Sequence, residues 1–153
     1  MTRFNVCLVQ PDNYIHSYAF LELGELLHFS LQELGYDSSF GFNNPDPNAT
    51  NILIGCHLLD PKFIPQLPSS TILLNTEQIY GETDWNKPIF AWAKHFQIWD
   101  YSPKNIEKFA KFLNDLINLP SSSAYSFSTK LIGIFPCSPS FESALRFKIS
   151  TFR

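Results

Sequence analysis

The run Thr71-Ile72-Leu73-Leu74-Asn75-Thr76-Glu77-Gln78 most constrains how this chain folds. An apolar β-type stretch ends in an amide, a hydroxyl, a carboxylate and a second amide, with no transition between the two halves. In an open α/β sheet such a change marks the carboxyl end of a strand, where ligands bind. Phe96-Gln97-Ile98-Trp99-Asp100-Tyr101-Ser102 repeats the pattern. Asn51-Ile52-Leu53-Ile54-Gly55 is apolar on both faces, as a buried parallel strand must be. The two polar strand ends at Asn75 and Asp100 are therefore expected side by side, forming one rim of a site.

The intervening segments read as helices and turns. Phe4–Gln10 is an apolar strand closed by Pro11-Asp12-Asn13. Ser17 offers an N-cap for a helix on which Phe20, Leu23, Leu27, Leu31 and Leu34 recur at spacings of three and four, with Gly35 at the C′ position. Ser38–Phe42 is a short strand, followed by the turn-rich Asn43–Asn48. Pro61–Ile64 fits one helical turn, and Asn86–His95 fits a helix with Pro88 in its first turn. Ser102-Pro103 is a start signal for a helix carrying Ile106, Phe109, Leu113, Leu116 and Ile117. Leu119–Ser123 reads as a linker, Lys130–Phe135 as a last strand and Ser140–Phe147 as a short terminal helix. Alternation of this kind predicts an α/β, Rossmann-like domain: a mainly parallel sheet of about five or six strands with helices on both faces. The body is residues 1–120. Residues 121–153 form a Ser-rich linker and a basic strand and helix extension of the same domain.

Composition narrows the function. The 153 residues suffice for one domain with a sizeable core. Fifteen Phe and three Trp supply more aromatic area than a core of this size commonly uses, and part of it is available for an interface. A net charge of −3 argues against a nucleic-acid partner, which needs a basic patch. Residues 1–120 hold seven Lys/Arg against thirteen Asp/Glu, whereas residues 121–153 hold four against one. That asymmetry suits a tail docking on an acidic body or partner. Cys7, Cys56 and Cys137 show no CxxC or Cys/His spacing, so no metal site is expected, and reduced thiols imply a cytoplasmic location. No apolar run reaches the length of a membrane span.

Each candidate chemical group has a structural rival. None of the six glycines forms GxGxxG or GxxxxGK[ST], so no cofactor and no complete nucleotide-sugar site is expected. Asn75, Glu77 and Gln78 suit a polyhydroxylated ligand, or else they satisfy the backbone of their own loop. Asp100 either anchors a ligand or serves the helix that starts just after it, whose dipole favours a carboxylate; Ser102 is read as a cap. His57 follows a strand and, like His16, has the chemistry of an acid–base group, though loop histidines are commonly ordinary surface residues. His28 and His95 lie in helices. No nucleophile elbow surrounds Ser138 or Ser140.

The segments Asn51–Leu59, Leu67–Gln78 and Ile98–Ile106, in this order and spacing, resemble the N-terminal region of bacterial group-1-type glycosyltransferases of the two-Rossmann-domain (GT-B) architecture. In that architecture the N-terminal domain contacts mainly the acceptor and the C-terminal domain holds most of the nucleotide-sugar donor. The resemblance implies that Asn75, Glu77, Gln78, Asp100 and Tyr101 face an interdomain cleft. The chain departs from the family by stopping where the second domain begins. Ile132–Pro139 is at most a diverged form of the segment leading there.

The expected function is that of a glycosyltransferase-like half acting as a non-catalytic or partner-dependent module for a carbohydrate or peptide acceptor or a protein. The alternative is a small glycosyltransferase-like enzyme whose cleft is completed by homodimerisation, with Glu77 or Asp100 as base and His57 as acid–base partner.

Overall fold

Strands with apolar side chains on both faces have to lie inside a sheet, and those of this chain do. In the computed structural model, residues 2–80, 86–117 and 131–133 are described, with 114–117 and 131–133 described by backbone alone. Six strands pair in parallel throughout. They are β1 (Arg3–Leu8), β2 (Asp37–Phe42), β3 (Thr50–Ile54), β4 (Ile72–Asn75), β5 (Gln97–Asp100) and β6 (Leu131–Gly133). Their order in the sheet is β2-β1-β3-β4-β5-β6. This is the α/β, Rossmann-like architecture expected from the sequence, with the doubly wound order whose direction reverses between β1 and β3.

Alternation along the strands divides the core. On one face Phe4, Val6, Leu8, Ile52, Ile54, Ile72, Leu74 and Trp99 form a layer with Leu27 and Leu31 of α1 (Leu21–Glu33). On the other, Cys7, Val9, Leu53, Leu73 and Ile98 pack with Ile89, Phe90, Trp92 and Ala93 of α2 (Lys87–Ala93) and Phe109 of α3 (Pro103–Ile117). α1 approaches the sheet so closely at Gly24 that a Cβ there would lie 2.5 Å from Phe40 Cε2 and 2.6 Å from Leu8 Cδ1.

The helix boundaries follow backbone hydrogen bonding. At the end of α1, Gly35 N–H donates to Gln32 O at 2.9 Å and Tyr36 N–H to Leu31 O at 3.0 Å, a Schellman closure with Gly35 at φ +82°. Its beginning differs from the sequence expectation. A 3₁₀ helix, Ile15–Phe20, leads directly into α1, and Ser17 does not cap it. The buried Ser17 hydroxyl donates to Val9 O at 2.8 Å instead, satisfying the carbonyl where the chain leaves β1. Ser102 does cap α3: Asn105 N–H donates to its Oγ at 3.4 Å, with Pro103 at the first helical position. Pro61–Gln66 forms the expected turn as a 3₁₀ helix, started by Asp60, which accepts from Lys62 N–H at 2.9 Å.

The link from β2 to β3, residues 43–49, contains no helix. It is shorter than the roughly dozen residues usual for a parallel crossover. Polar side chains inside the sheet make it possible. Asn5 Nδ2 donates to Asn44 O at 2.9 Å, and Asn51 accepts from Asp46 N–H at 2.8 Å while donating to Asp46 O at 2.9 Å. Asn5 and Asn51 join each other at 2.9 Å, and Ser39 donates to Asn5 Oδ1 at 2.9 Å. The loop backbone thus takes the place of a helix over that part of β1. The expected linker Leu119–Ser123, the terminal helix Ser140–Phe147 and Cys137 lie outside the described residues.

Candidate functional site at the carboxyl ends of the strands

Parallel pairing sets Asn75 of β4 opposite Asp100 of β5. Both are buried, and their side chains meet: Asn75 Nδ2 donates to Asp100 Oδ2 at 2.6 Å. Asp100 receives two further donors through three hydrogen bonds. Ser102 N–H reaches Oδ1 at 2.7 Å, and Asn105 Nδ2 reaches Oδ2 at 3.0 Å and Oδ1 at 3.3 Å. Burial raises the Asp100 pKa above its ordinary value, and the donors from Asn75, Ser102 and Asn105 pull it back.

This cluster shapes the loop after β4. Asn75 holds Glu77 through both of its backbone groups, accepting from Glu77 N–H at 3.2 Å and donating to Glu77 O at 2.9 Å. Asn105 donates to the same carbonyl at 2.8 Å and accepts from Ile79 N–H at 3.0 Å. Lys108 Nζ donates to Ile79 O, and its ammonium lies 5.8 Å from the Tyr80 ring centre. Three polar residues and a lysine therefore fix a loop whose backbone would otherwise have no regular partners.

The loop carries its exposed groups outward. Gln78 is exposed and its amide donates to the Tyr101 hydroxyl. Tyr80 is 83% exposed and Tyr101 41%. The Glu77 carboxylate, 28% exposed, lies 3.6 Å from Nε2 of His57, which follows β3 and whose side chain is only 4% exposed. Burial lowers the His57 pKa, opposed in part by Glu77, which favours the neutral imidazole at neutral pH. Cys56 beside it is inert: burial pushes its thiol up to about 12. Thr76 Oγ1 is buried with no hydrogen-bond partner.

The structure thus brings Asn75, Glu77, Gln78, Asp100, Tyr101 and His57 to one edge and separates their roles. Asn75 and Asp100 are buried and fully engaged with their surroundings. Gln78 and Tyr101 form an outer polar surface, and His57 and Glu77 form a pair between β3 and β4. His16 is exposed and packs edge-on with Tyr14, their ring centres 5.2 Å apart. His28 contacts the Ser38 hydroxyl at 3.0 Å, and His95 stacks near Phe96.

Asn105 and Lys108 were missed from the sequence. Both read as ordinary positions in the first turns of α3, and only their hydrogen bonds to Glu77 and Ile79 show that they face the loop after β4. Among the described residues, no group of three or more His, Cys, Asp and Glu could hold a metal ion. No described helix is long and apolar enough to cross a membrane. The fold and edge together define a doubly wound α/β domain with a braced polar rim at its strand ends. No family model, curated protein or solved structure matches the chain.

Proposed function

We propose that the chain is a binding module of the glycosyltransferase-like, two-Rossmann-domain kind, an acceptor-side half that takes a carbohydrate or peptide and depends on a partner for chemistry. The observation that carries this reading is the Gln78–Tyr101 surface, set on a loop braced by Asn75, Asp100 and Asn105. An amide and a phenol held on a rigid rim suit the hydroxyls and ring faces of a saccharide with little ordering cost on binding. The buried carboxylate of Asp100 accepts four hydrogen bonds from three protein donors and is spent on that rigidity.

Saturation-transfer NMR tests the reading with a panel of oligosaccharides and nucleotide sugars, on the full chain and on Tyr101→Ala. Transfer to a saccharide that Tyr101→Ala loses, at unchanged melting temperature, is the expected result. Transfer to none, or equal transfer to both proteins, overturns it.

The His57–Glu77 pair at 3.6 Å favours a second reading, a small transferase whose cleft a second copy completes. A neutral buried imidazole beside a carboxylate is equipped to take a proton from an acceptor hydroxyl. This reading requires a dimer in sedimentation, and turnover of a nucleotide sugar that Glu77→Gln abolishes without loss of stability.

A further inference from the structure

Among the described residues, the outer face of α1 exposes large apolar side chains that the strand ends do not explain. Leu26 and Phe29 are 51% and 57% exposed, three residues apart on one side of the helix. In the preceding 3₁₀ helix, Ile15 and Tyr18 repeat that spacing at 70% and 55%. Leu26 and Phe29 lie outside the core, since the buried face of α1 is already occupied by Gly24, Leu27 and Leu31, whereas Tyr18 sets its ring 5.7 Å from that of Phe42 and leaves the rest exposed. Single exposed apolar residues are ordinary, but four on two consecutive short helices form a pattern.

Charge decides what fits there. Glu22 and Glu33 stand at i−4 and i+4 from Leu26 and Phe29 respectively, and both are exposed, as is Glu25. The chain contains no Lys or Arg between Arg3 and Lys62, while Asp12, Glu22, Glu25, Glu33, Asp37, Asp46 and Asp60 fall in that interval. Arg3 bridges Asp37 and Asp46, and Lys62 bridges Asp60, so the carboxylates that edge this stripe are Glu22, Glu25 and Glu33, and they attract an apolar stripe edged by cations. The spacing is helical, so the complementary shape is a helix lying along α1. A second copy of the same face would set glutamate against glutamate. An anionic membrane surface would repel the same carboxylates.

We propose that the outer face of α1, with the 3₁₀ helix before it, is a docking surface for a basic amphipathic helix of a partner protein. It is a different surface from the strand ends and stands whether or not they bind a saccharide. The anchors are Leu26 and Phe29, and Glu22, Glu25 and Glu33 set orientation and on-rate.

The test uses the full chain and a fluorescent peptide of about 18 residues, or roughly five helical turns, with Leu at i, i+3, i+4 and i+7 and Lys elsewhere. A Leu/Glu peptide of the same pattern is the control. The Leu/Lys peptide is expected to bind with Kd on the order of tens of micromolar, at least ~10-fold more tightly than the Leu/Glu peptide. Phe29→Glu and, independently, Leu26→Lys should each weaken it by about 10-fold or more with an unchanged melting temperature. Tyr101→Ala should leave it unchanged. Equal affinity for the two peptides, undiminished binding in both variants, or no binding at about 1 mM overturns the proposal. So does a chain dimer that Phe29→Glu dissociates, which assigns the face to self-association. Binding to phosphatidylcholine–phosphatidylserine vesicles that Phe29→Glu removes also overturns it, by assigning the face to a lipid surface.

Discussion

Replacing Asp100 by Asn exchanges one carboxylate oxygen for an NH2 group and separates a structural carboxylate from a catalytic one. Asp100 accepts from Asn75 Nδ2, Ser102 N–H and Asn105 Nδ2, the last through both oxygens. An amide at this position keeps one acceptor and turns an NH2 group toward donors. With its oxygen kept on Ser102 N–H, the new NH2 meets Asn75 and Asn105. Neither neighbour can flip without cost, because Asn75 already accepts from Glu77 N–H and Asn105 from Ile79 N–H. Asn105 keeps Oδ1 at 3.3 Å, but the Asn75 amide and the new NH2 are left as buried donors without acceptors, at about 1–3 kcal/mol each. Relief from burying a charge offsets part of this, since burial is what raises the Asp100 pKa. The net loss is ~2–4 kcal/mol, or roughly 4–16 °C in Tm for a chain of this size. Urea unfolding followed by circular dichroism measures it. A variant within about 0.5 kcal/mol of the parent, the range of neutral surface changes, would refute the reasoning and return Asp100 to the catalytic candidates.

Three further outcomes follow from the same geometry. Gly24→Ala should destabilise the chain by ~1–2 kcal/mol in urea unfolding, because contacts of 2.5 and 2.6 Å with Phe40 and Leu8 outweigh the roughly 1 kcal/mol gain in helix propensity. Asn51→Ala should cost about 1–3 kcal/mol and speed hydrogen exchange at the Asp46 amide, whose acceptor it removes; unchanged protection there would show that residues 43–49 are held by something else. His57 has a folded pKa below its usual value, so the unfolded chain takes up the proton first as pH falls. Its contribution to stability is complete above about pH 6.5 and is lost below it, at up to ~1.4 kcal/mol per pH unit until the folded pKa is reached. His57→Gln should flatten that slope in urea titrations between pH 7 and 5, and an identical slope would show that another group titrates.

The sheet was legible in the sequence because its central strands β3 and β4 carry apolar runs that end abruptly. Ile52–Ile54 and Ile72–Leu74 announce buried parallel strands, and Gly35 announces the end of α1. Placing Asn75 beside Asp100 needed only the assumption that their strands are neighbours, which they are. What those residues do was not legible, because a buried Asn–Asp contact and a ligand-binding one use the same letters. The difference lies in Asn105, which reaches back from α3 across many residues of chain. Ser17 misled for a related reason. A serine ahead of a helix suits an N-cap, but here its hydroxyl donates to the carbonyl of Val9 instead. The non-helical link across β1 was also hidden, since only the meeting of Asn5, Ser39 and Asn51 makes so short a crossover workable.

The bracing of the loop after β4 also sets an order of events during synthesis. Asn75 leaves the ribosome 25 residues before Asp100, and Glu77 leaves 28 residues before the Asn105 amide that holds its carbonyl. A nascent chain can form β1 to β4 while the rim above them still lacks its supports. The polar surface at Gln78 and Tyr101 is therefore completed late, when the first turn of α3 docks. Arrested nascent chains that expose β4 but not α3 should show a fast-exchanging Ile79 amide, which becomes protected once α3 has emerged and Asn105 has docked.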